Sequence, residues 1–115
     1  INAPDQRVYH SSENIKKVKD FKPIGYSISK HGMSGITKYL STYWAHKNVR
    51  CNNLVPGAVM NTQSKSLVKN IKKRVPMNRL AKKDEYKKAL QFLATDGSKY
   101  MTGQNLVIDG GRTIW

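Results

Sequence analysis

The spacing of apolar residues along the chain changes several times, and each change marks an element. Residues 1–23 show no period: Pro4, Pro23 and the basic run Lys16-Lys17-Val18-Lys19 read as loop, with one short helical turn near Asn14 to Val18. Over residues 24–47, Met33, Ile36, Tyr39, Leu40, Tyr43 and Trp44 recur at three- and four-residue spacing, the stripe of an amphipathic helix. Gly25, Gly32 and Gly35 each weaken that helix by about 1 kcal/mol relative to Ala. Glycines on a helix that keeps its pattern predict close packing against another element. Asn48 ends the helix, and residues 48–57 read as a strand, Val49 to Val55, closed by Pro56-Gly57. Residues 58–81 hold a loop and then a Lys-rich amphipathic stretch, Ser64 to Arg74, interrupted by Val75-Pro76-Met77. A second firm helix is expected over 82–96. Tyr86, Ala89, Leu90 and Leu93 form its stripe, Asp84 and Glu85 lie near its positive end, and Asp96-Gly97 stops it. Residues 103–115 carry the apolar strand Asn105 to Asp109 and then Gly110-Gly111.

The order helix, strand, helix, helix, strand contains a strand–crossover–strand unit, which predicts parallel pairing in an α/β fold. Leu54-Val55 and Leu106-Val107-Ile108 suit strands covered on both faces. Two strands do not complete such a sheet, so the remainder is expected upstream of Ile1.

Composition narrows the picture further. A chain of 115 residues supports at most one domain. The single cysteine, Cys51, excludes an intramolecular disulfide framework and, lying in an apolar run, is expected to be a buried, inert thiol. No stretch approaches the ~20 apolar residues of a membrane span, and Ile1-Asn2-Ala3-Pro4 has neither an initiator Met nor a signal-peptide pattern. The chain is expected to be cytoplasmic, and its start reads as a cut.

The charge is strongly basic, 21 Lys+Arg against 7 Asp+Glu for a net +14. A cluster spans Lys65 to Lys88, where an anion or nucleic-acid surface is one reading. Lys greatly outnumbers Arg, however, and phosphate gripped bidentately calls for Arg. A solvated basic surface is therefore expected ahead of a nucleic-acid partner. No metal ligands are assigned.

Tyr26-Ser27-Ile28-Ser29-Lys30 puts a phenol and an ammonium four residues apart, on one helix face and roughly 6 Å apart at Cβ. A cation beside a phenol stabilises phenolate, so such a pair can exchange a proton with an alcohol or carbonyl while hydride moves elsewhere. The bare spacing also fits an ordinary surface helix.

Residues around the pair sharpen the reading. Tyr26 to Lys30 followed by Gly32 and Gly35 resembles the catalytic helix of the short-chain dehydrogenase/reductase family. Asn48 to Gly57 resembles the family's next strand and its Pro-Gly turn, and Arg74 to Ala81 the hinge after its substrate loop. Phe92 to Asp96, Tyr100 to Gln104 and Val107 to Gly111 resemble its last helix and strand. The resemblance runs from Gly25 to the end. It implies the C-terminal part of a Rossmann-like, doubly wound parallel sheet.

It also implies NAD or NADP as cofactor, Tyr26 as general acid/base and Lys30 on the nicotinamide ribose. The turn Pro56-Gly57 and backbone near Val59 would hold the carboxamide. A cofactor-contacting hydroxyl follows in the family; here Asn61 stands at the expected position and Thr62 one place beyond. The family's substrate-positioning Ser is expected upstream of Ile1, with Ser12 as the alternative, because Ser11, Ser12 and Glu13 lie in a polar stretch without strand pattern. The Gly-rich phosphate turn is likewise expected upstream.

Small-molecule substrates and a homo-dimer or homo-tetramer are implied too, with Tyr39, Tyr43, Trp44 and Trp115 suited to subunit contacts. Core packing explains the first three of these equally well. Ala3 to Tyr9 resembles members associated with flagellin modification or surface-sugar biosynthesis, which favours a sugar or nucleotide-sugar. The alternatives are a 3-oxoacyl thioester reductase, a polyol dehydrogenase, a non-catalytic relative and a basic nucleic-acid-binding protein.

Overall fold

The computed structural model describes residues 2–9 and 21–114. The expected turn at Asn14 to Val18, the positions Ser11, Ser12 and Glu13, and Trp115 lie outside the described residues. A 3-10 turn at Gln6–Tyr9 precedes α1 (Ile24–Trp44), and a second at Ala45–Lys47 follows it. Then come β1 (Asn53–Pro56), α2 (Lys65–Lys72), α3 (Lys87–Ala94) and β2 (Asn105–Ile108). The strands pair in parallel, with Asn53 opposite Asn105 and Pro56 opposite Ile108.

Helix α1 starts where Pro23 stops being extended: the Tyr26 N–H donates to the Pro23 carbonyl at 3.0 Å. It ends through a 3-10 turn into Asn48, which takes a left-handed φ of 58°, a conformation that Asn tolerates better than most residues. The face it turns to the sheet is polar and small. Ser34 Oγ donates to Asn105 Oδ1 at 3.2 Å, and Ser41 Oγ reaches the Cys51 carbonyl at 2.8 Å. Thr37, on the same face, is buried.

The aromatic stripe faces away. Ile36 is 52% exposed, Tyr39 64% and Tyr43 57%, so core packing within this chain does not account for them. Tyr39 and Tyr43 stack on each other at 5.8 Å between ring centroids. The glycines also depart from expectation, since a Cβ at Gly25, Gly32 or Gly35 would meet nothing within 4 Å. Periodicity identifies a face suited to packing; the two strands present cover a different one.

Strand β1 begins at Asn53 rather than Val49, because polar side chains claim the preceding backbone. The Cys51 N–H donates to Thr102 Oγ1 at 3.1 Å, and its carbonyl accepts from the Gly103 N–H at 2.7 Å. The Asn52 amide brackets the same segment, donating to the Met101 carbonyl at 2.8 Å and accepting from the Gln104 N–H at 3.1 Å. Cys51 is half-buried rather than buried. The strands are not sealed on both faces either: Leu54 and Val55 are half-buried and Val107 is 37% exposed.

Helix α2 is capped by Ser64 Oγ, which accepts from the Leu67 N–H at 3.3 Å, and stops at Lys72 rather than continuing to Arg74. Helix α3 starts at Lys87, later than expected, because Glu85 is committed to the turn before it. The Glu85 carboxylate takes a bidentate grip from Arg79 at 2.6 and 2.7 Å and accepts from the Lys82 N–H at 2.7 Å. The helix ends at Ala94, with Thr95 already extended. Arg50 closes that end, donating to the carbonyls of Leu93, Thr95 and Met101 and to Ser98 Oγ. A guanidinium there meets both orphan carbonyls and the negative end of the helix dipole.

The amino-terminal turn is latched to the region of α2. Arg74 Nε reaches Asp5 Oδ2 at 2.5 Å, and Asn70 Nδ2 donates to the Val8 carbonyl at 3.3 Å. Two arginines, Arg7 and Arg74, hold the Asp5 carboxyl far below the usual carboxylate range.

Candidate active site

The direction of α1 decides where Tyr26 lies. Ser34 and Ser41 bond to Asn105 and Cys51, at and before the amino ends of the strands. Moving back from Ser34 to Tyr26 covers about 12 Å of helix, against about 13 Å for a four-residue strand. Tyr26 therefore lies toward the carboxyl ends of β1 and β2, the end at which parallel α/β sheets receive ligands. It is 41% exposed. Lys30, one turn on, places Nζ 5.7 Å from the Tyr26 ring centroid.

A second cation shares that ring. Lys22 Nζ sits 4.9 Å from the Tyr26 centroid and 5.4 Å from that of Tyr9. The Gln6 amide fixes Lys22 from both sides of its backbone: Gln6 Nε2 donates to the Lys22 carbonyl at 3.2 Å, and the Lys22 N–H donates to Gln6 Oε1 at 2.8 Å. Burial, with a smaller contribution from Tyr26, pushes the Tyr9 phenol up from its ordinary value. Sequence reasoning missed Gln6, Tyr9 and Lys22. They lie outside any periodic segment, and the Gln6–Lys22 pairing spans sixteen positions. The only local signal was a Lys four residues before the Tyr, interrupted by Pro23.

The other expected site residues follow one another from the last residue of β1 onward. Pro56 is the exposed last residue of the strand. The Gly57 N–H donates to the Ile108 carbonyl at 2.9 Å, and a Cβ there would stand 2.7 Å from Asp109 Cα. Glycine is thus required at this crossing by the approach of two backbones.

Val59 forms a parallel bridge with Ala81, and its carbonyl accepts from Gln63 Nε2 at 2.7 Å. Among the described residues the Val59 N–H has no partner, so it is free to donate to a carboxamide oxygen. Gln63 Oε1 also takes the Asn61 N–H at 2.6 Å, which shapes the loop around its own amide. Thr62 is exposed, and its hydroxyl has no partner among the described residues. The turn and Val59 thus suit the nicotinamide end of a dinucleotide, while no Gly-rich phosphate turn is part of these 115 residues.

Beneath the turn lies a cavity of about 240 Å³ lined by Gly57, Ala58, Val75, Met77, Tyr86 and Asp109, among others. Burial pushes the Tyr86 phenol up, and its hydroxyl and Asp109 Oδ2 are buried without a partner among the described residues.

A helix laid on parallel strands, with its phenol–ammonium pair toward their carboxyl ends, defines an α/β layer of the dinucleotide-binding class. Comparison with known proteins agrees. The family model described as enoyl-(acyl carrier protein) reductase matches residues 8–113. A 3-oxoacyl-(acyl-carrier-protein) reductase of Chlamydia trachomatis is 43% identical over 90 residues, covering 75% of this chain and 36% of that protein.

Among solved structures, a short chain dehydrogenase from Leptospira borgpetersenii with bound NAD+ superposes with a TM-score of 0.80 at 34% identity. That match covers 96% of this chain and 39% of the other. A structure from Agrobacterium tumefaciens with bound NADP gives 0.73 at 29% identity, covering 78% and 39%. The chain belongs to the short-chain dehydrogenase/reductase family, and its fold is part of that family's Rossmann-like sheet. It spans little more than a third of the length of these relatives.

Proposed function

We propose that this chain supplies the catalytic half of an NAD- or NADP-dependent oxidoreductase that interconverts an alcohol and a carbonyl. The observation that carries the reading is the Tyr26–Lys30 pair, held one helical turn apart with the ammonium 5.7 Å from the ring, toward the ligand end of the strands. A nicotinamide cofactor, held there by Lys30 and the Pro56–Val59 turn, would supply hydride chemistry at the carbonyl carbon. In reduction the Tyr26 hydroxyl gives its proton to the carbonyl oxygen, and in oxidation the phenolate takes the proton of the alcohol. Lys30 supports the phenolate electrostatically and holds the nicotinamide ribose. The free N–H of Val59 orients the carboxamide, Pro56-Gly57 lets the backbone come close, and Thr62 offers its hydroxyl to the cofactor.

The substrate favoured is a sugar or nucleotide-sugar, supported by the resemblance of Ala3 to Tyr9. A 3-oxoacyl thioester or a polyol is the alternative. The exposed Tyr39, Tyr43 and Trp44 support assembly as a homo-dimer or homo-tetramer through α1. The proposed compartment is the cytoplasm. Among the described residues no helix is long and apolar enough to cross a membrane.

The test is Tyr26→Phe in the full polypeptide encoded by the gene. Turnover of the alcohol or carbonyl is expected to fall by a factor of 10³ or more, on the order of the acid–base contribution, with cofactor affinity within a few-fold of wild type. Retained turnover would overturn the assignment.

A further inference from the structure

Three features around Lys22 are unusual together. Its backbone is clamped on both sides by the Gln6 amide, although it stands in a short connection before Pro23. Its ammonium rests against two aromatic rings, Tyr9 and Tyr26. Yet among the described residues no carboxylate or carbonyl oxygen accepts from it. Ring faces attract a cation but accept only weakly from its N–H groups, and an ammonium carries three donors. Asp5, the acidic residue of that segment among the described residues, is committed to Arg7 and Arg74.

Lys30 brings a second positive charge to the Tyr26 ring. Two ammonium groups around one ring repel each other, and an anion between or beside them relieves that repulsion. If Lys30 serves the cofactor as proposed above, Lys22 is the cation left to face the substrate.

We infer that Lys22 is a specificity-determining residue that binds an anionic oxygen, a carboxylate or phosphate, carried by the substrate close to its reacting carbonyl. The inference rests on Tyr26 being the proton donor of that site. Gln6 is then a positioning residue, acting through the Lys22 backbone. Tyr9 forms the second wall that confines the ammonium to the Tyr26 side. The substrate class follows: an oxo acid or a phosphorylated ketose, in preference to its neutral counterpart.

The experiment uses the full polypeptide encoded by the gene and follows NADH or NADPH oxidation with two matched pairs. Acetoacetate against its ethyl ester tests the carboxylate, and fructose 6-phosphate against fructose tests the phosphate. Wild type is expected to favour the anionic member in at least one pair, which identifies the anion. Lys22→Met is expected to lower the anionic-to-neutral ratio of kcat/KM at least tenfold, mainly through KM, while Lys22→Arg keeps most of it.

Cofactor binding by Lys22→Met, read from nicotinamide fluorescence, shows that the variant is folded. The inference is overturned if wild type shows no anion preference in either pair. It is equally overturned if Lys22→Met lowers both members of a pair by the same factor. A wild-type protein inert on all four compounds also overturns the inference, whereas the oxidoreductase reading stands or falls separately with Tyr26→Phe.

Discussion

At the scale of single residues, the chain shows how much a site depends on atoms the sequence does not advertise. Tyr26 and Lys30 were legible because helix geometry converts a four-residue spacing into a shared face. Lys22 was not, because its position depends on an amide from Gln6 across an aperiodic segment. Gly57 was legible as a turn former, but the structure gives it a stricter role. A methyl group there would stand 2.7 Å from Asp109 Cα, which is backbone and cannot rotate away. Gly57→Ala is therefore expected to push the ends of β1 and β2 apart and to destabilise the fold by about 1–3 kcal/mol. A lowered urea midpoint at unchanged slope is the expected reading; an unchanged midpoint would mean the crossing has slack.

At the scale of elements, polar side chains set the boundaries that hydrophobic pattern placed only approximately. Cys51 and Asn52 look like strand in an apolar run, yet their backbone and side chains are used by Thr102, Met101, Gly103 and Gln104. Asp84 and Glu85 look like the first turn of a helix, yet Glu85 serves Arg79 and the Lys82 N–H.

That turn makes a prediction about acid. Arg79, and then the Lys82 N–H, lower the Glu85 carboxyl to about 2 from an ordinary 4.5. A carboxyl held lower in the folded state contributes stability that is full above its ordinary value and is lost as pH falls through its folded value. Urea midpoints are thus expected to drop between about pH 4.5 and 2. Glu85→Gln should flatten the dependence in that window, leaving the part due to Asp5, which lies lower still. The same acid slope in both proteins would place the titration elsewhere.

At the scale of the whole molecule, surface area is the telling quantity. A compact monomer of this mass exposes about 6,400 Å², whereas this chain exposes 8776 Å². Groups suited to burial are among those left open, with Ile24 at 79% exposed, Ile28 at 66% and Tyr39 at 64%. Open apolar groups of this kind suit burial against further sheet or a second subunit, as proposed above. The 115-residue chain by itself is accordingly expected neither to bind nicotinamide cofactor nor to turn it over. Fluorescence titration with NADH and NADPH checks this, and saturable binding with steady turnover by the isolated chain would refute it.

By itself the sequence determined the order of elements, the parallel crossover and the pairing of Tyr26 with Lys30. Each of these follows from local periodicity and from the fixed geometry of a helix turn. Only the tertiary structure decided which face of α1 meets the sheet. Serine and threonine at helical spacing pack there, and a period search for apolar residues passes over them. Only the tertiary structure, too, brought Gln6, Tyr9 and Lys22 to the phenol, because contacts between aperiodic segments leave no repeating mark in the chain that makes them.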